Sequence, residues 1–517
     1  PDQQDPAKIV RSARAADDAH GISEFPHLIV NQARVLDYFS EVMEQAPTRM
    51  RADYGYEFVD LDINESGEYP VAVTLAHTTG EHAGTQRVVH AKYVIGCDGA
   101  RSAVRSSIGC HLAGDQAFHA WGVMDALAVT DFPDIRTKCA IQSEDGGNIL
   151  LIPREGGTLF RMYVDLGEVD PNDTGAVRGT SLDEIIARAN QILSPYTLDV
   201  RNVAWHSVYE VAHRLTDRFD DVPLELVGTR SPRVFITGDA CHTHSAKAGQ
   251  GMNVSMQDGW NLGWKLGYVL EGRSPEELLR TYSDERRVTA KNLIDFDKEW
   301  STLMAKRPEE FDSPSELEDF YVQTAEFPAG FMTLYTPSIL TGEATHQELA
   351  SGFPIGKRFK SVMTTRVADA VDVHLGHHHR ADGRYRIYAF ADADATALDA
   401  WAEWMLHAEE SPLRRFTPEG ADIDTFFDVK AIYQQEHHGV AIERSPKVFL
   451  PNSGPFQLVD YEKIYAVKPG EDIFELRGIS RGGAVVVVRP DQYVANILPL
   501  EATQELADFL APLFLSR

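Results

Sequence analysis

The 517-residue chain is 43% hydrophobic and 25% charged, an ordinary globular composition with room for about three domains. Its 49 basic and 78 acidic residues give a formal net charge of −29; this disfavours nucleic acid and anionic membrane as partners and leaves any anionic ligand to a few placed Arg, Lys or His side chains. Four cysteines without CxxC spacing exclude a disulfide framework, and the absence of a signal peptide or an apolar run of about 18 residues predicts a cytoplasmic protein with no membrane partner.

In chain order, "NQARVLDYFSEVMEQ" sets Val35, Phe39 and Met43 at helical spacing and predicts an amphipathic helix. "YEFVDLDI" and "YPVAVTLAHTT" alternate around the turn "NESGEY" as antiparallel strands do; "RVVHAKYVIGCDGA" adds one more apolar run, and residues 102–109 read as a short helix. From about 116 to 215, short strand-like runs predict a mostly β domain. One helix interrupts it, "SLDEIIARANQIL", which Ser181 caps with Glu184 three residues on. The strand "RVFIT" is followed by helical patterns, the first starting near Asn253. Beyond about 350, "RYRIYAFA", "TALDAWAEWMLHAEE", "DTFFDVKAIYQ", the hairpin "GGAVVVVRPDQYVANIL" and "ATQELADFLAPLF" predict a separate α/β domain. The division expected is 1–115, 116–215, 216–345 and 346–517.

The chemistry concentrates in "RVFITGDACHTHSAKAGQGMN". A strand ending at Gly238-Asp239 delivers a carboxylate to the carboxyl edge of a sheet, where open α/β folds bind ligands. Gly249 and Gly251 remove side chains so that main-chain amides can approach a flat ligand, and the helix that follows aims its positive end at negative charge. A flavin with a ribityl chain meets all three demands. "YVIGCDGARSAVR" repeats the device, with Asp98-Gly99 at a strand terminus. The tracts "HLGHHHR" (374–380) and "EHHG" (436–439) lack a defined ligand set and read as exposed loops, so no metal site is expected.

These two motifs in this order, flanked by "LIPREGG" and "FRMYVDLG", resemble the single-component FAD-dependent aromatic hydroxylases of the phenol hydroxylase branch. The resemblance implies an FAD-binding, glutathione-reductase-like domain of the p-hydroxybenzoate-hydroxylase type in two segments, a β-rich substrate domain, and a C-terminal thioredoxin-like domain. It implies a homodimer that uses FAD, NADPH or NADH, and O2 to hydroxylate a small phenolic acid. Asp239 would bind the ribityl hydroxyls; the amides around Gly251, Met252 and Asn253 would hold the ring edge. Gln32 would contact the ribityl and pyrophosphate region, and Asp98 with Gly99 matches the motif tied to FAD and NADPH. Tyr163 would orient the phenol with Arg154 nearby, while His27 and Lys138 would neutralise the substrate carboxylate. The readings of these residues as a packed histidine, a solvated strand edge or a core tyrosine stay open beside that, as do a neutral phenol as substrate and a non-catalytic flavin-binding protein.

Two departures accompany the resemblance. Ala246 stands where the family usually carries proline, which puts oxygen handling in question. No GxGxxG occurs, and the aspartate acting as phenol base has no counterpart, so the resemblance implies a preceding segment of roughly a hundred residues. All four cysteines precede residue 346, so dithiol chemistry is excluded from the C-terminal domain.

Overall fold

The computed structural model describes the chain apart from residues 1–4, 6, 12–13, 15–20, 26, 65, 116–118, 145–146, 170–175, 211, 246–249, 307–309, 314, 325, 328 and 517. It divides into two compact units: residues 1–224, 232–257 and 287–330 form one, and residues 225–231, 258–286 and 331–517 form the other.

The first unit opens with helix α1 (Gln32–Gln45), started by Asn31, whose side chain accepts the Ala33 amide. The helix was expected from its periodicity, yet Leu36, Phe39 and Val42 on it are exposed. Strands β1 (Tyr56–Ile63), β2 (Val71–His77) and β3 (Gln86–Ala91) make an antiparallel sheet. The run expected as one further strand instead divides between β3 and β4 (Val94–Gly96), which lie in different sheets. Helix α2 (Ala103–Ser107) and strand β5 (Leu112–Asp115) follow.

The β-rich block is a five-stranded antiparallel sheet of β6 (His119–Thr130), β7 (Cys139–Gln142), β8 (Asn148–Pro153), β9 (Phe160–Glu168) and β10 (Leu198–Glu210), in the order β10-β6-β9-β8-β7. Period-2 alternation sorts its side chains. Met124, Ala126, Ile149, Leu151, Met162 and Val164 pack against Ile185, Ala189 and Ile192 of helix α3 (Leu182–Leu193). Trp121, Val123, Leu150 and Tyr163 cluster apart from them. The capping box read from the sequence is present: the Ser181 amide donates to Glu184 at 2.7 Å and the Glu184 amide to Ser181 Oγ at 3.3 Å. A Cβ on Gly122 would stand 2.7 Å from Ile185, so only glycine lets α3 approach β6 this closely.

Strands β11 (His213–Thr216), β12 (Val234–Ile236) and β13 (His242–Thr243) lead to helices α4 (Gly251–Leu270) and α5 (Thr281–Ala305). Helix α6 (Glu316–Gln323) follows. The strand β12 pairs with β4 in parallel, Ile236 opposite Gly96. No helix of the described residues is long and apolar enough to cross a membrane.

The second unit centres on a seven-stranded mixed sheet of β14 (Met363–Arg366), β15 (Val371–His374), β16 (Tyr385–Phe390), β17 (Phe427–Glu436), then β20 (Ile464–Val467), β21 (Ala484–Val488) and β22 (Val494–Leu498), with a small ribbon of β18 (Asn452–Ser453) and β19 (Leu458–Val459) outside it. Helices α7 (Thr396–His407), α8 (Pro412–Phe416), α9 (Ile473–Leu476) and α10 (Thr503–Leu510) accompany the strands. Strand β16 is buried along its whole length, as its mostly apolar run predicts, with its one charge, Arg386, paired to Asp382 and Asp428. The four-residue strands β14 and β15, of which β15 forms the sheet edge, escape the sequence pattern. They also correct the reading of "HLGHHHR" as an exposed loop: β15 carries the tract inward, Leu375 is fully buried, and buried His379 pairs through Nε2 with Pro490 O at 3.2 Å.

Candidate active site

Both strand termini singled out in the sequence meet. The Thr237 amide donates to Gly96 O at 3.0 Å, continuing the β12–β4 pairing. Beyond it Gly238 takes φ +60°, and a Cβ there would lie 2.9 Å from Ser255 Oγ, so the turn requires glycine. That turn pushes Asp239 outward: it is exposed between buried Gly238 and Ala240, and no described residue hydrogen-bonds its carboxylate. Arg105, buried, joins the two turns by donating through Nη1 to Ala240 O and through Nη2 to Ala100 O, each at 3.0 Å.

Asp98 has a different engagement. Its carboxylate accepts the Ser102 hydroxyl and the amides of Ala103 (2.7 Å) and Val104 (3.1 Å), closing the start of α2. Gly99 at φ +79° supplies the left-handed step between them. What this second turn presents outward is therefore backbone rather than a free carboxylate.

The helix expected near Asn253 begins two residues earlier at Gly251, because the Val254 amide already donates to Gln250 O at 3.0 Å. Helix geometry aims the amides of Gly251, Met252 and Asn253 out of its first turn. Gly249 and Ala246 lie outside the described residues.

Just before them stands a group that the sequence reading missed. Asp297, fully buried on α5, accepts the Ser245 amide (2.6 Å), the Ser245 hydroxyl (2.5 Å) and His213 Nε2 (2.8 Å). Burial alone would raise its carboxyl, but the hydrogen bonds from His213 and Ser245 overrule this and hold it below the ordinary value. His244 stacks on His242 and bonds Ser245 O through Nδ1 at 2.8 Å; burial depresses its basicity. Ser245 donates to a carboxylate and not to an imidazole, which is no arrangement for a nucleophile.

Tyr163 lies on β9 among Trp121, Val123 and Leu150, 8% exposed. Two positions earlier Arg161 forks onto Asp125 of β6 with two bonds of 2.7 Å, and its guanidinium lies 5.2 Å over the Trp205 ring. Hydrogen bonding to Asp125, assisted by Tyr163, holds Arg161 above its ordinary range against the cost of burial. The Tyr209 phenol is pushed up by burial and then by Tyr163 and Asp239, with Arg161 opposing. Alternation in "FRMYV" sets Arg161 and Tyr163 on the same side of the strand, the signal that could have flagged Arg161.

Arg154 follows β8, and its buried Nε has no hydrogen bond among the described residues, its ion pair with Glu155 spanning 3.5 Å. The remaining expected residues are more peripheral. Gln32 is the exposed first residue of α1, and His27 is exposed on the coil before it. Lys138 sits one residue ahead of edge strand β7 rather than within a strand, exposed, with Nζ 5.4 Å over the Tyr321 ring. No described contact joins His27 or Lys138 to Tyr163.

Residues 10–297 match the family model described as an FAD binding domain, and residues 333–517 match the phenol hydroxylase C-terminal dimerisation domain. Over 516 residues the chain is 50% identical to 3-hydroxybenzoate 4-monooxygenase of Comamonas testosteroni, covering 97% of this chain and 81% of that protein. It is 36% identical over 523 residues to an FAD-dependent monooxygenase of Aspergillus terreus, covering 97% and 82%. Aklavinone-11 hydroxylase, solved with FAD and aklavinone, superposes with a TM-score of 0.63 at 19% identity over 95% of this chain and 79% of that one, a likeness of mixed α/β fold.

Proposed function

The chain belongs to the FAD-dependent aromatic monooxygenases of the phenol hydroxylase type, and from that premise we propose that it converts 3-hydroxybenzoate to 3,4-dihydroxybenzoate with NADPH and O2. The residues fit FAD: an open carboxylate at Asp239, first-turn amides of α4, and a turn at Gly238 that a Cβ would fill. Bound FAD supplies hydride acceptance and oxygen activation.

The chain's own residues then have separate tasks. Asp239 accepts from the ribityl hydroxyls, and the α4 amides with the helix dipole favour negative charge at the ring by about 0.3–1 kcal/mol, and about 2 when partly buried. Tyr163 donates its hydroxyl to the substrate's phenolic oxygen, and Arg161 beside it favours the phenolate form. A phenolate ring is most nucleophilic ortho and para to its oxygen, and C4 of 3-hydroxybenzoate is an ortho carbon. Arg154, His27 and Lys138 neutralise the carboxylate, Gln32 contacts the ribityl and pyrophosphate region, and the Asp98-Gly99 turn faces FAD and NADPH. The apolar wall of Trp121, Val123 and Leu150 keeps water from the reacting ring.

The observation that carries this reading is the 50% identity over 97% of the chain to 3-hydroxybenzoate 4-monooxygenase; the exposed Asp239 after the Gly238 turn and Tyr163 beside Arg161 on β9 support it. Exposed Lys138 over Tyr321 favours a second reading, a neutral phenol as substrate. We further read the chain as a cytoplasmic homodimer, with residues 1–115 and 216–345 as the FAD domain, 116–215 as the substrate domain and 346–517 as a thioredoxin-like domain.

Substrate-stimulated NADPH oxidation by the complete protein, with products identified, separates the readings. Stimulation by 3-hydroxybenzoate above phenol and 4-hydroxybenzoate is expected, and Lys138→Met should raise its KM on the order of tenfold while leaving phenol unchanged. Stimulation by phenol alone refutes the carboxylate site.

A further inference from the structure

Phe456 at 83%, Leu458 at 67% and Tyr461 at 50% stand out among the exposed large apolar side chains of the second unit. They occupy or adjoin the β18–β19 ribbon, whose register is Asn452 opposite Val459 and Ser453 opposite Leu458. With aromatic side chains carrying about 150–250 Å² each, these three expose on the order of 400 Å², a patch of the size that marks an interaction surface.

The ribbon is held in shape without a partner. Asp422 accepts the Gly454 amide at 2.7 Å and Gln457 Nε2 at 2.6 Å, and Gln457 also donates to Gly454 O at 2.9 Å. Below the ribbon the Asp460 amide donates to Pro451 O at 2.9 Å. Gly454 and Gln457 both take left-handed backbone angles, +72° and +50°, to close the turn. A loop ordered in advance brings its apolar side chains to an interface at little further entropic cost.

Charge indicates the occupant. Residues 451–459, "PNSGPFQLV", contain no ionisable side chain although a quarter of the chain is charged and its net charge is −29, and Asp460 next to them is ion-paired with Lys463 at 3.6 Å. A basic partner would be drawn to acidic surface; a second copy carries the same negative charge and approaches most easily over an uncharged face. A two-stranded ribbon also leaves two open edges, and a two-fold axis sets like against like.

We propose that the 452–461 ribbon is the centre of the homodimer contact, packing against the same ribbon of a second copy. This rests on the homodimer reading above. Two such patches supply on the order of 800 Å² of the roughly 1,200–2,000 Å² that a stable interface buries, so flanking surface forms the rim and Phe456 and Leu458 the core.

Light scattering of the complete holoprotein, with the double variants Phe456→Glu/Leu458→Glu and Phe456→Lys/Leu458→Lys, tests it. Wild type is expected to be dimeric. Each variant should be monomeric at concentrations on the order of 100-fold above the wild-type dissociation constant, and their mixture should recover the dimer. Because these side chains are exposed, melting of the monomeric variants reports whether they are folded. A monomeric wild type defeats the homodimer reading itself. Dimeric variants leave that reading standing and refute the ribbon, and folded monomers that fail to pair on mixing refute ribbon-to-ribbon contact.

Discussion

Replacing Asp297 by Asn keeps the size of the side chain and removes its charge. The fully buried carboxylate accepts three hydrogen bonds, from the Ser245 amide, the Ser245 hydroxyl and His213. Bonds to a charged acceptor contribute about 1.5–3 kcal/mol against about 0.5–1.5 for neutral ones, so each loses about 1 kcal/mol and the three together about 3. Ser245 is six residues before Gly251, where α4 starts, so loosening this anchor transfers the cost of ordering the turn to FAD binding. At 1.4 kcal/mol per tenfold the FAD dissociation constant rises by up to roughly 100-fold, and the apoprotein melts about 3–5 °C lower. Quenching of flavin fluorescence on titration and melting of the apoprotein read these directly; Ser245→Ala, which removes only the hydroxyl bond, should show about a third of the free-energy change. Unchanged FAD affinity together with unchanged melting in Asp297→Asn would refute the reasoning.

Tyr163→Phe retains the ring packed on Trp121 and Leu150 and removes one hydrogen bond to a charged phenolate, so kcat/KM should fall roughly 10- to 100-fold. FAD affinity and melting should stay at wild-type values, and full activity in the variant would remove Tyr163 from phenol activation. In the second unit, burial, with Arg386 adding to it, pushes His379 down from 6.5 to about 3. The unfolded chain takes up a proton below 6.5 that the folded form refuses, so stability falls as pH drops from 6.5 toward 3, by about 1.4 kcal/mol per pH unit. Melting of wild type and His379→Gln between pH 7.5 and 5 checks this: the acid-side slope should flatten in the variant, and an equal slope in both excludes His379 as its source.

Local pattern carried much of the fold. Ser181 and Glu184 announced α3 because a capping box is complete within four residues, and β16 was legible because both of its faces are buried and its run is therefore apolar apart from the ion-paired Arg386. Strands β14 and β15 were silent, since four residues are too few to set up a readable alternation, and β15 at the sheet edge need not alternate at all. The helical stripe of α1 was read correctly as a helix, but periodicity states only that a face is apolar and not what covers it.

At the site, the sequence by itself determined the chemical parts: a carboxylate after a strand at Asp239, glycines at Gly249 and Gly251, amides at the start of the helix that follows, and a tyrosine on a β strand. These are local properties of backbone and residue type. Only the tertiary structure decided which parts meet. It joined the two strand-end turns through Arg105, committed Asp98 to the start of α2, and paired Arg161 with Asp125 beside Tyr163. It also set Asp297 against Ser245, 52 residues away in the chain. Such contacts depend on where separate elements come to rest after their apolar faces are buried, and that placement leaves no mark on the spacing of residues within any one of them.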